Sequence, residues 1–443
     1  MKLKFYRSTC ANELFVNKDI SELPPAQGPD LDVIVDDARR YQQIDGFGAS
    51  FTDSAAYLIN QVLSKDVKED LMVKLFDHDK GIGISMLRNP MGASDYAREI
   101  YSYNSIPEGE TDFNLDNFSI AYDLDDILPL TKQAMDINPQ VKLMASPWSA
   151  PGWMKNTQGM ITGELRKDCY STYAMYFVKF IQEYAKRGIP VYAVTPQNEP
   201  LYMPGHYPSM FLPARDAADF IANHLKPAFV KNNISTKILC YDHNWDRPDY
   251  PLHVFHVAGD AVDGVAWHWY GGRPIAQHQV LMAYPDKEVH FTEGSGGEWI
   301  PEFEPAFSNL MRTAVGILRN HSKSMVLWNM ALDENNGPFV PGFGASTCRG
   351  IVKINQQTKE LTYTLDYYGL AHFSKFVRPG AVRIDSTSSD SLCTVAFKNL
   401  DGSIVTVLFN DEDHGMNVKL AHGGVEAASF NLPPKSALTV VKE

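Results

Sequence analysis

The hydrophobic pattern divides the chain into three stretches. From residue 44 to residue 375, short apolar, β-branched runs alternate with longer amphipathic segments, the signature of parallel α/β architecture. Eight runs read as buried strands, near Gln43–Phe51, Ile82–Arg88, Lys142–Ser146, Val191–Thr195, Lys237–Tyr241, Gly264–Tyr270, Glu288–Thr292 and Ser324–Asn329. Helical patterns fill most gaps. In Cys169–Arg187, for instance, Tyr173, Phe177, Phe180, Ile181 and Tyr184 fall on one stripe. Eight alternating strands predict a (β/α)8 TIM barrel over an open doubly wound sheet. No G-x-G-x-x-G or P-loop pattern follows any strand to favour the open form.

The two ends have a different texture. Residues 1–43 hold short strands, Leu3–Arg7 and Leu31–Val35, around the proline and glycine breakers at 24–29. Residues 376–443 hold Leu392–Asn399 and Ser403–Asn410, joined through the hairpin signal Asp401-Gly402, then Met416–Leu420 and Ala437–Val441. Short strands at this spacing suggest a β-sandwich. Built from both termini, it makes the barrel an insertion at 44–375.

Composition narrows the function. The chain has 443 residues, 44% hydrophobic and 21% charged, with a formal net charge of −13. That balance argues against nucleic-acid or anionic-membrane partners and leaves neutral substrates open. Five scattered cysteines, Cys10, Cys169, Cys240, Cys348 and Cys393, show no C-x-x-C, and the histidines show no H-E-x-x-H. Neither a disulfide framework nor a metal is expected, and no cofactor is implied. The basic start lacks an apolar signal core, and no run is long enough to span a membrane. As written, the expectation is a soluble, cytoplasmic protein, with a removed leader or another export route left open.

The fourth strand runs into Thr195-Pro196-Gln197-Asn198-Glu199-Pro200, which puts a carboxylate at its C-terminal mouth, where TIM-barrel catalysis sits. The seventh ends in Glu293, followed by Gly294-Ser295-Gly296-Gly297. About three βα units separate the two glutamates, so they face each other across the barrel. Facing carboxylates suit glycoside hydrolysis, one protonating the leaving oxygen and the other attacking or activating water. Other strand ends carry sugar-binding chemistry: Asp53 after the first, Trp148 and Trp153 after the third, His268 and Tyr270 at the sixth, Trp328 at the eighth. Blander readings stand beside these. Asp53 could cap the following helix, and Trp153, Trp267 and Trp269 could be packing. Asp242, His243 and Trp245 could line the outer side of the site or only pack a loop, and Glu298 and Glu334 read as surface residues.

These motifs resemble family 30 glycoside hydrolases, the group that includes lysosomal glucosylceramidase and β-1,6-glucanases. The resemblance rests on Asp45-Gly46-Phe47-Gly48 with Phe51-Thr52-Asp53, Ala145–Trp153, Thr195–Pro200, His268-Trp269-Tyr270, Phe291-Thr292-Glu293 and Trp328–Leu332. It runs from about Gln43 to Leu332. It implies a retaining β-glycosidase with Glu199 as acid/base and Glu293 as nucleophile. Asn198 would touch the sugar 2-hydroxyl or the nucleophile. Asp53, Trp148 and Trp328 would hold the glycone, and His268 and Tyr270 would steady the nucleophile's side. The substrate class is a β-linked glucoside or glucan, with glucosylceramidase-like activity first, β-1,6-glucanase or β-xylosidase next. Glu199 is expected to have a raised pKa, through burial and the Glu293 charge. The rivals are a non-catalytic carbohydrate-binding barrel and a metal-dependent barrel hydrolase, for which only His268 is well placed. The loops after strands two (89–118) and eight (333–350) are expected to shape the outer subsites.

Overall fold

The computed structural model describes residues 2–9, 13–28, 30–297 and 303–443. Cys10, Pro29 and Glu298 lie outside them. Eight strands close a parallel barrel: β1 (Gly46–Ser50), β2 (Met86–Pro90), β3 (Lys142–Ser146), β4 (Val191–Val194), β5 (Lys237–Asn244), β6 (Gly264–His268), β7 (Glu288–Glu293) and β8 (Ser324–Asn329). They are the eight runs of the hydrophobic pattern, with ends moved by a few residues. The barrel closes where Ser324 of β8 pairs with Gly46 of β1. Gly48 permits close pairing of β1 with β2, because a Cβ there would lie 1.7 Å from the Met86 carbonyl oxygen.

The interior is layered. At the N-terminal end of the strands, Lys237 and Lys323 reach Glu288 while Lys142 reaches Asp45, a charged plug. Above it Met86, Met144, Ala193, Leu239, Ala266 and Val326 form an apolar layer. The polar site described below sits on top.

The terminal strands share one nine-stranded sheet. Its order is Val425–Leu432, Met416–His422, Leu31–Gln43, Val382–Ser386, Leu392–Lys398, Ile404–Asn410, Ser436–Lys442, Leu3–Ser8, Val16–Lys18. Phe5 and Phe430 lie far apart in that order, yet their rings meet edge to face at 6.3 Å. The sheet is therefore folded over itself as a sandwich around Val33, Leu408, Val418 and Leu438. His372, on the barrel helix Leu365–Ser374, ties the two parts together through Ser8 Oγ at 2.8 Å and Thr439 Oγ1 at 2.9 Å. Cys169, Cys240, Cys348 and Cys393 are free thiols. No helix among the described residues is long and apolar enough to cross a membrane.

Candidate active site

Two β-bulges aim the functional side chains. The β7–β6 register shifts between Phe291 and Glu293, which lets both Thr292 and Glu293 reach the barrel axis. The β5–β6 register shifts between Tyr241 and His243. Tyr241 and Asp242 there take left-handed φ values of 75° and 57°, and Glu199 takes 44°. Such conformations are costly for residues with a Cβ and persist where neighbours fix them. Here the Glu199 amide donates to the Asp242 carbonyl at 3.0 Å, locking the two turns together.

A buried charge network fills the barrel mouth. Arg88, 1% exposed, donates to Glu293 Oε2 at 2.8 Å, Asn198 Oδ1 at 2.7 Å and Asp242 Oδ2 at 2.7 Å. Asp242 also accepts from Thr195 and Thr292, each at 2.7 Å, and from Ser146. Burial opposes its charge, but Arg88 and His268 hold its carboxyl well below the usual range. Tyr270 donates its hydroxyl to Glu293 Oε1 at 3.0 Å.

His268 stands between the two glutamates. Its Nε2 lies 2.9 Å from Asp242 Oδ1, and its Nδ1 lies 3.0 Å from Glu199 Oε1 and 4.0 Å from Glu293 Oε1. Burial pulls the imidazole pKa down, but the charges of Glu293 and Asp242 override it and lift the group to about 9. Burial likewise pushes Glu199 up, yet the close approach of His243 and the hydrogen bond and charge of His268 take it down to about 2. This reverses the expectation of a raised Glu199. The physical reason is the facing imidazole: the His268–Glu199 pair carries one proton, and it rests on the ring. Glu293 is shifted upward by burial, which His268 and Arg88 only partly offset.

A cavity of about 440 Å³ opens over this network, lined by Trp148, Asn198, Glu199, Tyr270, Glu293 and Trp328 among others. Trp148 and Trp328 do not form two separate platforms. They stack on each other at 4.9 Å and 18°. Arg88 lies 4.9 Å from the Trp148 ring and 5.6 Å from that of Trp328, one flat wall backed by a cation. His206, from the loop after β4, stacks at 5.3 Å on Phe343 from the loop after β8, so loops from opposite sides of the barrel meet beside the cavity. The loop after β2 contributes Asp95.

Asp53 is placed elsewhere. Both its oxygens are taken by Arg98, at 2.7 and 3.0 Å, with the Arg98 amide at 2.7 Å. It opens the helix Asp53–Tyr57 but does not cap it, because Thr52 does, accepting from the Ala55 amide at 3.1 Å. The aspartate that joins Glu199 and Glu293 in lining the cavity is Asp95, whose buried Oδ1 has no hydrogen-bond partner. Burial and the Glu293 charge hold its pKa well above the carboxylate range. Trp153 donates to Asn104 at 2.7 Å and Trp267 is wholly buried, both as packing.

Sequence reasoning passed over Arg88 and Asp95 and gave Asp242 no catalytic weight. Arg88 carried a usable signal: a cation inside an apolar, barrel-buried strand demands anionic partners. Asp95, in a long polar loop, carried none.

Known proteins align with this architecture along nearly its whole length. The glycosyl hydrolase family 30 TIM-barrel domain matches residues 44–377, and the family's β-sandwich domain matches 380–440. An endo-1,6-β-D-glucanase of Trichoderma harzianum, BGN16.3, is 32% identical over 427 residues, covering 90% of this chain and 84% of that protein. The lysosomal acid glucosylceramidase of Mus musculus is 30% identical over 401 residues, covering 84% and 76%. The solved structure of the endo-β1,6-glucanase BT3312 superposes with a TM-score of 0.90 at 31% identity, covering 99% of both chains. The chain belongs to glycosyl hydrolase family 30 and is a glycoside hydrolase.

Proposed function

We propose that the protein is a retaining β-glycosidase acting on β-linked glucosides, with Glu293 as nucleophile and Glu199 as acid/base. The observation that carries this reading is the unlike surroundings of two glutamates that share one imidazole. Glu293 faces a permanent cation and a phenol hydroxyl, which favour its ionised form in the presence of substrate. Glu199 faces the proton carried with His268. The shared ring nitrogen keeps the nearer oxygens within about 7 Å of each other, which supports a closely spaced pair.

In the first step a Glu293 oxygen bonds to the anomeric carbon as the glycosidic C–O bond breaks. The proton resting on His268 passes to Glu199 across their hydrogen bond, and Glu199 delivers it to the leaving oxygen, which leaves the imidazole neutral. The ester removes the Glu293 charge. A water then loses a proton to the Glu199–His268 pair and attacks the same carbon, releasing Glu293. Asn198 and the Trp148–Trp328 wall hold the glycone, joined by Asp95, whose neutral carboxyl both donates to and accepts from a hydroxyl.

Of the substrates, β-1,6-glucan is supported at least as well as glucosylceramide, because Trichoderma BGN16.3 and BT3312 carry that activity in their names and match nearly the full chain. A panel of aryl β-glucoside, aryl β-xyloside, glucosylceramide and β-1,6-glucan, run with wild type and Glu293→Gln, names the substrate. Proton NMR of the first-formed sugar should show the β-anomer. An α-anomer would overturn retention. Sugar binding without turnover, indifferent to Glu293→Gln, would hand the protein to the carbohydrate-binding reading.

A further inference from the structure

We propose that Glu199, His243 and His268 form a binding site for a divalent transition-metal ion such as zinc, and that the bound ion blocks hydrolysis. The donor atoms Glu199 Oε1, His243 Nδ1 and His268 Nδ1 all lie within 4.8 Å of one another. Glu199 Oε1 is 3.0 Å from His268 Nδ1 and 3.5 Å from His243 Nδ1. Bonds of about 2.0–2.1 Å in a tetrahedron set donor atoms roughly 3.3–3.4 Å apart. Two edges of that tetrahedron are thus already built to within a few tenths of an ångström.

A second observation points to a ligand. His243 is 9% exposed, and its Nδ1 makes no hydrogen bond although it is buried and aimed at Glu199. A buried nitrogen held 3.5 Å from a carboxylate oxygen without a hydrogen bond is unusual, since buried polar atoms nearly always make one. A metal would satisfy it.

His268 can serve as a metal-binding imidazole when zinc displaces the Nδ1 proton that it shares with Glu199 and that proton leaves to solvent. Its Nε2 is engaged by Asp242, which orients the ring and leaves Nδ1 for the shared point. Asp242 is itself fixed by Arg88 and Thr292. Two imidazoles and one carboxylate suit zinc, copper or nickel and are a poor set for magnesium or calcium, which prefer oxygen. Glu199 and His243 line the cavity, from which water can complete the ion's coordination.

A comparison within the molecule sharpens the assignment. Asp45, Glu288 and His290 also gather three donors, at the opposite end of the barrel. There Lys142, Lys237 and Lys323 already occupy the carboxylate oxygens, and three ammonium groups repel a cation. In the upper group a nitrogen lacks a hydrogen bond, and Arg88, the cation of that network, is engaged by Glu293, Asn198 and Asp242 and not by the three donors.

Inhibition, as distinct from binding, rests on Glu199 being the acid/base, because a carboxylate held by zinc can neither give nor take a proton. A chelator should accordingly leave activity intact or raise it. The test is calorimetric titration of the full chain, first dialysed against EDTA, with ZnCl2, MgCl2 and CaCl2. Zinc should bind at one equivalent, and His243→Gln should weaken it at least about tenfold. Glu199→Gln serves as the second variant, and thermal melting checks both folds. Zinc should then inhibit hydrolysis over the same concentration range, reversibly by EDTA. Absence of a one-equivalent zinc isotherm, equal affinity in both folded variants, or equal binding of magnesium would overturn the site. Calorimetry needs no substrate, so failure of zinc binding leaves the glycosidase reading standing. Zinc binding in a protein that hydrolyses nothing would fault that reading instead.

Discussion

Replacing Arg88 by lysine tests whether the guanidinium fork under the cavity organises the site. Arg88 reaches Glu293, Asn198 and Asp242 at 2.7–2.8 Å with two terminal nitrogens. A lysine keeps the charge but concentrates it at one point, and it cannot span three acceptors held by three different strand ends. Two of the three bonds should be lost. At about 1.5 kcal/mol each, the low end for hydrogen bonds involving charge, the loss is about 3 kcal/mol. Glu293 and Asn198 both contact the reacting sugar in the proposed mechanism, so the loss should appear in the transition state. At 1.36 kcal/mol per decade it is roughly a 100-fold fall in kcat/KM. The assay is initial-rate hydrolysis of whichever panel substrate is cleaved, at concentrations far below KM, with thermal melting to show that the variant is folded. A folded Arg88→Lys protein retaining more than about a third of wild-type kcat/KM would refute the reasoning.

Hydrolysis should follow a bell in pH. The proton on His268 is present below about 9 and lost above it, so the alkaline limb should fall near that value. The charge on Glu293 is lost as pH falls, and burial places that acid limb above the ordinary carboxylate range; a limb below pH 4 in a pH–rate profile would contradict it. Asp95→Asn should lower kcat/KM about 10- to 100-fold by disturbing sugar contacts worth about 1.5–3 kcal/mol, with little change in melting temperature. Asp53→Asn should do the reverse. Breaking its pair with Arg98, which is 34% exposed and so partly screened, should cost about 1–3 kcal/mol in chemical denaturation and leave KM within about twofold.

The sequence alone determined the barrel and where its two glutamates stand. Eight β-branched runs separated by amphipathic helices admit few arrangements, and a strand's direction tells which end its last residue occupies, so Glu199 and Glu293 were legible as facing strand-end carboxylates. The terminal strands were legible one by one from their spacing and turn residues. Which strand lies beside which was not. Leu3–Ser8 pairing with Ser436–Lys442 is a contact across the whole chain that no local pattern encodes.

Tertiary structure decided the rest of the site. Alternation assigns a residue to a face only while register is regular. The bulges in β5 and β7 break that rule where Asp242, Thr292 and Glu293 converge. A carboxylate's role depends on its neighbours in space: Asp53 lies against Arg98, while Asp95, a loop residue with no motif around it, faces the cavity. The resting place of the Glu199 proton depends on an imidazole 69 residues further along the chain, 3.0 Å away only once the barrel has closed. Local pattern fixes which side chains reach the mouth of the barrel. Their charges and partners follow from distances that only the closed barrel sets.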